Sequence, residues 1–374
     1  MLIPVLVEPN YQNYIWAKQT LESILQEAAK RKYKAIPLKS EGYEKLDYDA
    51  IFQDERRMLI VIGTSISWMP AALDFFNSRK IETVFISFDP SEVKLPTGMV
   101  RMDYVGAVDH LMSYLESCGK QRIAMYGYNP NSSADQIKIR FYRSRLRARG
   151  ISEEAIFENL ADLKSCYQRF RPEIQRFDSV ICANDVVACS LVSMLKEDGI
   201  RVPEDLYVTA FGNSLISERI TPTLTVATLD HHEMGRQAVH LFSYLVRMPS
   251  AASVSVRVRC KLIVRGSTAF QPDTSGKISP VKPDNQFRGL NFYSDPEAEW
   301  LLRAECLLGT ADETDLKLVD RLLQDIPLDE LEKELYLTSS ALQYRKKKLM
   351  NASDCKGSAE FLEFLSFCRK RGVL

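Results

Sequence analysis

Ser339 to Met350 carry the strongest chemical signal in this chain: the stretch holds Arg345-Lys346-Lys347-Lys348 and no acid. Leu328 to Leu335 precedes it as a two-turn amphipathic segment, opened by Pro327 and Asp329-Glu330, residues that suit a helix N-terminus. Tyr336-Leu337 ends that segment, and Thr338 or Ser339 can cap the next helix, which runs to about Met350. A short scaffold helix at 328–335, a tight turn and a capped basic recognition helix at 339–350 make the layout of a helix-turn-helix, whose second helix enters the DNA major groove. The wider segment from Asp295 to Leu374 has sixteen Asp/Glu against twelve Lys/Arg, so the positive charge belongs to one helix on an acidic support.

A second set of residues is spread through the first 270 positions. Tyr11, Tyr14 and Trp16 offer flat stacking faces, Ser65 and Ser67 hydroxyls, and Asp103, Asn184, Asp185 and Asn213 directional polar groups. Aromatic plates with a few polar groups hold small polar ligands. Tyr14 and Trp16 can equally close a core, and Asp185 can cap a helix from Val186, so both roles stay open. The motifs of catalysis are absent: there is no Walker loop, no GxGxxG after a strand, no HExxH and no GxSxG. No enzyme activity, cofactor or metal is expected. His231-His232 precede Glu233, but adjacent helical side chains point about 100° apart, which suits a helix start better than one metal site.

These groups need elements to position them. Strand patterns at Leu2–Val7, Lys34–Leu38, Leu59–Gly63, Thr83–Ser87, Arg122–Tyr126, Ser179–Ala183 and Leu206–Phe211 alternate with helical patterns. The helices read at Trp16–Arg31, Pro70–Ser78, Val105–Ser117, Gln136–Arg149 and Val186–Asp198. This alternation predicts two parallel-sheet α/β units with right-handed crossovers. Ligands of such sheets sit outside the carboxyl ends of the strands, and the loops starting at Glu8, Thr64, Asp103, Tyr128, Asn184 and Gly212 lie there. Residues 271–290, with Pro272, Gly276, Pro280 and Pro283, read as a linker. A helical domain follows at 291–374, starting with a helix over 295–309 that is free to dimerise.

Two family resemblances follow from these residues. Leu318-Val319, Leu322-Leu323, Glu330-Leu331, Leu335, Leu337-Thr338, Leu342, Leu349 and Ser358-Ala359-Glu360 make the C-terminal segment similar to the LuxR-type (GerE-like) helix-turn-helix domain. Asp325, Glu332 and Lys346 depart from its pattern. The resemblance implies that Gln343, Tyr344 and Lys347 approach base edges, and that Lys348 with Ser339 or Ser340 meets phosphates. Ala183-Asn184-Asp185-Val186-Val187-Ala188, Asp198 to Asp205, Thr221 to Thr225, Glu233-Met234-Gly235 and Leu262 to Thr268 resemble, in order, the effector domain of the LacI/GalR family. That likeness implies a two-lobed periplasmic-binding-protein-like fold over 1–270 with a ligand cleft. Lobe one would span 1–101 and 231–250, and lobe two 104–228 and 254–268. The family's ligand-clamping Arg falls on Lys138, with Arg140 as a substitute, and its acid after Gly-Phe falls on Gly212. These departures leave three occupants open: an unusual sugar, a different small molecule, or none.

Composition sets the remaining expectations. The formal net charge is zero, so attraction to nucleic acid must be local. Eight scattered cysteines without CxxC pairs read as reduced thiols in a cytoplasmic protein. Strand one begins at Leu2, leaving the family's usual upstream DNA-binding module no room, and no run is long enough to span a membrane. The expected protein is a cytoplasmic, homodimeric, effector-responsive DNA-binding regulator, with its reader after the sensor.

Overall fold

A computed structural model describes residues 1–39, 42–52, 57–87, 97–150, 155–248, 253–268, 295–324, 326 and 328–374. The chain begins β1 (Leu2–Val7), α1 (Ile15–Lys30), β2 (Lys34–Leu38), α2 (Tyr48–Ile51), β3 (Met58–Ile62), α3 (Trp68–Ser78) and β4 (Glu82–Ile86). It continues with β5 (Gly98–Met102), α4 (Tyr104–Ser117), β6 (Ile123–Tyr128), α5 (Ser133–Ala148), β7 (Ile156–Glu158) and α6 (Leu163–Phe170). Next come β8 (Ser179–Cys182), α7 (Asp185–Glu197), β9 (Tyr207–Gly212), α8 (Leu215–Arg219), β10 (Thr225–Thr228) and α9 (His231–Arg247). The last strands are β11 (Val254–Val258) and β12 (Leu262–Ile263). Five helices close the chain: α10 (Pro296–Thr310), α11 (Glu313–Leu322), α12 (Leu328–Leu335), α13 (Ser339–Ala352) and α14 (Ser358–Arg371).

Two compact units result. The first comprises Met1–Asp109, Pro130–Arg149 and Leu229–Lys261; the second comprises His110–Asn129, Gly150–Thr228 and Leu262–Leu374. Each holds a six-stranded sheet, in the orders β11-β5-β4-β3-β1-β2 and β12-β10-β9-β8-β6-β7. Among the described residues, these strands all pair in parallel except β10 with β12. Strands β1 and β3 are almost wholly buried apolar runs, as sheets covered on both faces require. The sequence expectation placed 254–268 in lobe two, but Val254–Val258 pairs with Gly98–Met102 in the first sheet. Its alternating exposure marks an edge strand, and alternation alone does not say which sheet it joins. Pro130–Arg149 likewise groups with the first unit.

The C-terminal helices pack on the second unit. Every residue of α7 from Asp185 to Leu195 is buried, because the sheet covers one face and α10 and α14 lie against the other. Asp295 caps α10 by accepting from Glu297 N and Ala298 N (2.8 and 3.0 Å), and it also accepts from Leu163 N at the start of α6. Glu297 accepts from Ser190 Oγ (2.9 Å) and pairs with Arg371 (3.0 Å), which also reaches Ser193 Oγ (2.7 Å) and Glu197 (3.1 Å). Burial raises the Glu297 carboxyl above its ordinary pKa despite Arg371. The apolar side of α10, including Ala298, Leu301, Ala304 and Leu307, is therefore consumed within the chain. That corrects the expectation of a helix free to dimerise. The expected linker at 271–290 lies outside the described residues.

Candidate functional site

In the first unit, the carboxyl ends of β1 and β3 meet around Glu8. This residue is fully buried, and its carboxylate accepts from Thr64 N (3.1 Å), Ser65 N (3.3 Å) and Ser65 Oγ. Burial pushes its pKa up, partly opposed by those hydrogen bonds. A Cβ on Gly63 would come 2.6 Å from Glu8 Oε2, so only glycine leaves the carboxylate its place. Tyr11 lies with its hydroxyl 3.4 Å from Ser65 Oγ, and burial pushes that phenol up to about 12. Its ring neighbours Tyr14 (5.6 Å) and Trp16 (5.4 Å), and Trp16 in turn lies 6.0 Å from His231. Burial holds His231 down at about 4, so the imidazole is neutral at pH 7. Tyr14 and Trp16 keep part of their surface open, and Ser65 joins them at this end of the sheet.

Asp103 caps α4 through Gly106 N (3.2 Å). It lines a cavity of about 340 Å³ with Arg101, Tyr104, Ile137, Arg140 and Arg257, among others. Lys138 is 3% exposed; its ammonium pairs with Asp135 (2.8 Å) and sits 5.2 Å from the Tyr104 ring centre. Arg140, two residues on, is exposed at the cavity, and positions i and i+2 of a helix point to different sides. Of the two, Arg140 faces the cavity and Lys138 does not.

In the second unit the β8 and β9 loops meet. Asn184 caps α7 by accepting from Val187 N (3.0 Å), so the cap role expected of Asp185 belongs to its neighbour. Asp185 is 7% exposed and ties the β9 loop, its Oδ2 accepting from Asn213 N (3.2 Å) and Ser214 N (2.8 Å). Gly212 has φ +143°, and a Cβ there would come 2.3 Å from Asp185 Oδ2. Asp185 thus fills the space beside position 212, where the LacI/GalR pattern has an acid. Asn213 is exposed, with φ +135° and its Oδ1 accepting from Arg265 Nη2 (2.6 Å). Just beyond, Leu215 N and Ile216 N both donate to Glu305 of α10 (2.9 Å each).

The remaining candidates lie on α13. Thr338 caps it, accepting from Ala341 N (3.3 Å), and the turn before it carries Tyr336 at φ +53° and 94% exposed. Leu342 and Leu349 are buried. Arg345 and Lys348 flank them and bind the fully buried Asp315 of α11, each at 2.7 Å, with Arg345 also on Asp312 (2.7 Å). Lys348, expected at a phosphate, is instead an anchor. Ser339, Ser340, Gln343, Tyr344 and Lys347 are exposed, and 340, 343, 344 and 347 fall at the spacing of one helix face. Sequence reasoning missed Glu8 and Glu305. Glu8 was legible as an acid at the end of the first strand; Glu305 had no local signal.

Comparison with known proteins agrees with this architecture. Residues 112–268 match the model of the periplasmic binding protein-like domain family. The HTH-type transcriptional repressor CytR of Escherichia coli K12 is 28% identical over 236 residues, covering 61% of this chain and 67% of CytR. A LacI family transcriptional regulator from Enterococcus faecium with bound ribose superposes with a TM-score of 0.57 at 20% identity, covering 72% of this chain and all of that one. The transcriptional regulator CelR in complex with cellobiose gives a TM-score of 0.59 at 17% identity, over 71% of this chain and 84% of CelR. The α/β part of this chain is thus similar to the periplasmic-binding-protein-like domains of these transcriptional regulators and shares their fold.

Proposed function

We propose that this protein is a DNA-binding transcriptional regulator that senses a small polar molecule of the sugar class. The reader is α13, and the observation that carries the proposal is its division into two sides. Arg345 and Lys348 are spent on Asp312 and Asp315, while Ser340, Gln343, Tyr344 and Lys347 stay exposed. A helix anchored on its inner side and polar on its outer one suits a groove. In this reading Gln343 and Tyr344 face base edges, Lys347 faces a base acceptor or phosphate, and Ser339 and Ser340 meet phosphates.

The effector contacts are proposed at the carboxyl ends of the strands. Tyr14 and Trp16 give stacking faces to a sugar ring, and Ser65, Asp103 and Arg140 give hydrogen bonds from the first unit. Lys138 in the first unit and Asn184 and Asp185 in the second already hold protein partners within their own units. Asn213 offers an exposed amide in the second unit. We further propose a homodimer, which matches paired half-sites on DNA.

Fluorescence anisotropy of DNA from upstream of the protein's own gene tests the reading, using the intact chain at two salt concentrations. Salt-sensitive binding that K347E abolishes is the expected result. Equal binding by wild type and by K347E and Q343A would instead make α13 a surface for protein contacts.

A further inference from the structure

Four consecutive amides after β9 each find an acidic acceptor, from two different directions. Asn213 N and Ser214 N donate to Asp185, while Leu215 N and Ile216 N donate to the two carboxylate oxygens of Glu305. The first amides of a helix usually find a local cap, and Ser214 at the N-cap of α8 is of the right type. It does not serve: its side chain makes no cap hydrogen bond, and Oγ is buried without a hydrogen-bond partner among the described residues. The chain supplies the acceptor from α10 instead, 90 residues away in sequence. Glu305 is 8% exposed, so its charge is compensated by these contacts rather than by water.

We propose that Glu305 is a positioning residue for the loop Gly212–Ile216. It holds the loop from α10 while Asp185 holds it from α7, so that the state of the loop and the seating of α10 form one equilibrium. This rests on the reading above of Gly212–Asn213 as an effector-facing loop, and it adds a route by which that site regulates the reader. An effector that draws on Asn213 or Asp185 shifts α8, α8 releases or tightens Glu305, and α10 carries the change to α13, with which it is in contact. Linkage makes the route reciprocal: loosening α10 loosens the loop.

Hydrogen exchange on the intact chain tests this without any effector, so failure to identify an effector and failure of this proposal stay distinct. The variants are E305L, which removes both acceptors, E305Q, which keeps one, and D185N. Coupling predicts that E305L speeds exchange at Leu215 and Ile216 by about tenfold or more, the scale of a lost charge-assisted hydrogen bond, and also speeds it at Asn213 and Ser214. E305Q should lie between E305L and wild type, and D185N should raise exchange along α10. Effects of E305Q confined to Leu215 and Ile216, with α10 unmoved by D185N, would overturn the proposal. Should E305L not fold, E305Q and D185N still decide it.

Discussion

Asp315 is the point at which the proposed reader can be loosened most selectively. It is fully buried, shares a reciprocal capping box with Asp312 at the start of α11, and accepts from Arg345 and Lys348 of α13. Burial alone would raise its pKa, but the hydrogen bonds from Lys348 and Arg345 outweigh that and hold it below the ordinary value. Consider Asp315→Ala. Losing the capping interaction costs about 1 kcal/mol. Breaking a buried ion pair on one side costs roughly 3–5 kcal/mol when the stranded charge cannot reach water. Here the Arg345 and Lys348 side chains are 25% and 34% exposed, so both can rehydrate and the loss is smaller. A total of about 2–3 kcal/mol follows, which is roughly 30- to 150-fold faster exchange of α13 amides if they exchange by local opening. Asp315→Asn keeps the cap acceptor and should lose about half as much in free energy. Native-state hydrogen exchange is the assay, with the amides of β1 and β3 as an internal control that stays unchanged. Protection of α13 within about threefold of wild type in Asp315→Ala would refute the view that this carboxylate anchors the helix.

Other predictions follow from the same geometry. Acid should act on the two ends of the helical region in opposite senses, because Asp312 and Asp315 have depressed pKa values whereas burial raises those of Glu297 and Glu305. The Asp contribution is complete above about pH 4 and is lost as pH falls through the lower folded values. The buried glutamates bind protons in the folded state first, so the α10 dock gains stability as pH falls from 7 toward about 4.3; pulsed exchange at several pH values reads both. Gln343→Ala should cost about 1–3 kcal/mol of specific DNA affinity, and Lys347→Ala should reduce the salt slope by about one unit, both by anisotropy. Glu8→Ala leaves Thr64 N and Ser65 N without their acceptor and should lower stability by about 1–3 kcal/mol in urea denaturation, with Glu8→Gln recovering part of it.

The α/β architecture was legible because strand and helix periods alternate over the first 228 residues, and seven strands were placed within a residue or two of where they lie. Five others were not: β5 and β10 inside the sheets, and β7, β11 and β12 at their edges. β12 has two residues and β11 is half exposed, so their sequence pattern does not say which sheet they join. Among the site residues, local chemistry found Thr338 as a cap, since a cap is a property of a few adjacent residues, but it gave the cap of α7 to Asp185 where Asn184 holds it. It misjudged Lys348 and Lys138, because each is neutralised by an acid inside the fold. Lys138 finds Asp135 one turn away, but Lys348 finds Asp315 more than thirty residues back.

The misplacement of α10 has a different cause, and it bears on how the protein works. Proline and glycine over 271–290 argued for a tethered module, and a tether transmits little. The opposing signal lay in α7, whose stretch Val186-Val187-Ala188-Cys189-Ser190-Leu191-Val192-Ser193-Met194-Leu195 has no polar face. A helix apolar or small all round must be buried all round, and a single sheet covers only one side of it. Something else in the chain had to supply the second cover, and α10 with α14 does so. Several polar groups in that cover are matched individually: Ser190 to Glu297, Ser193 to Arg371, and the α8 amides to Glu305. Matched hydrogen bonds in a packed interface fix a register, which a tether does not. The β9 loop and α10 are therefore joined by direct contacts, through which the coupling proposed above would run.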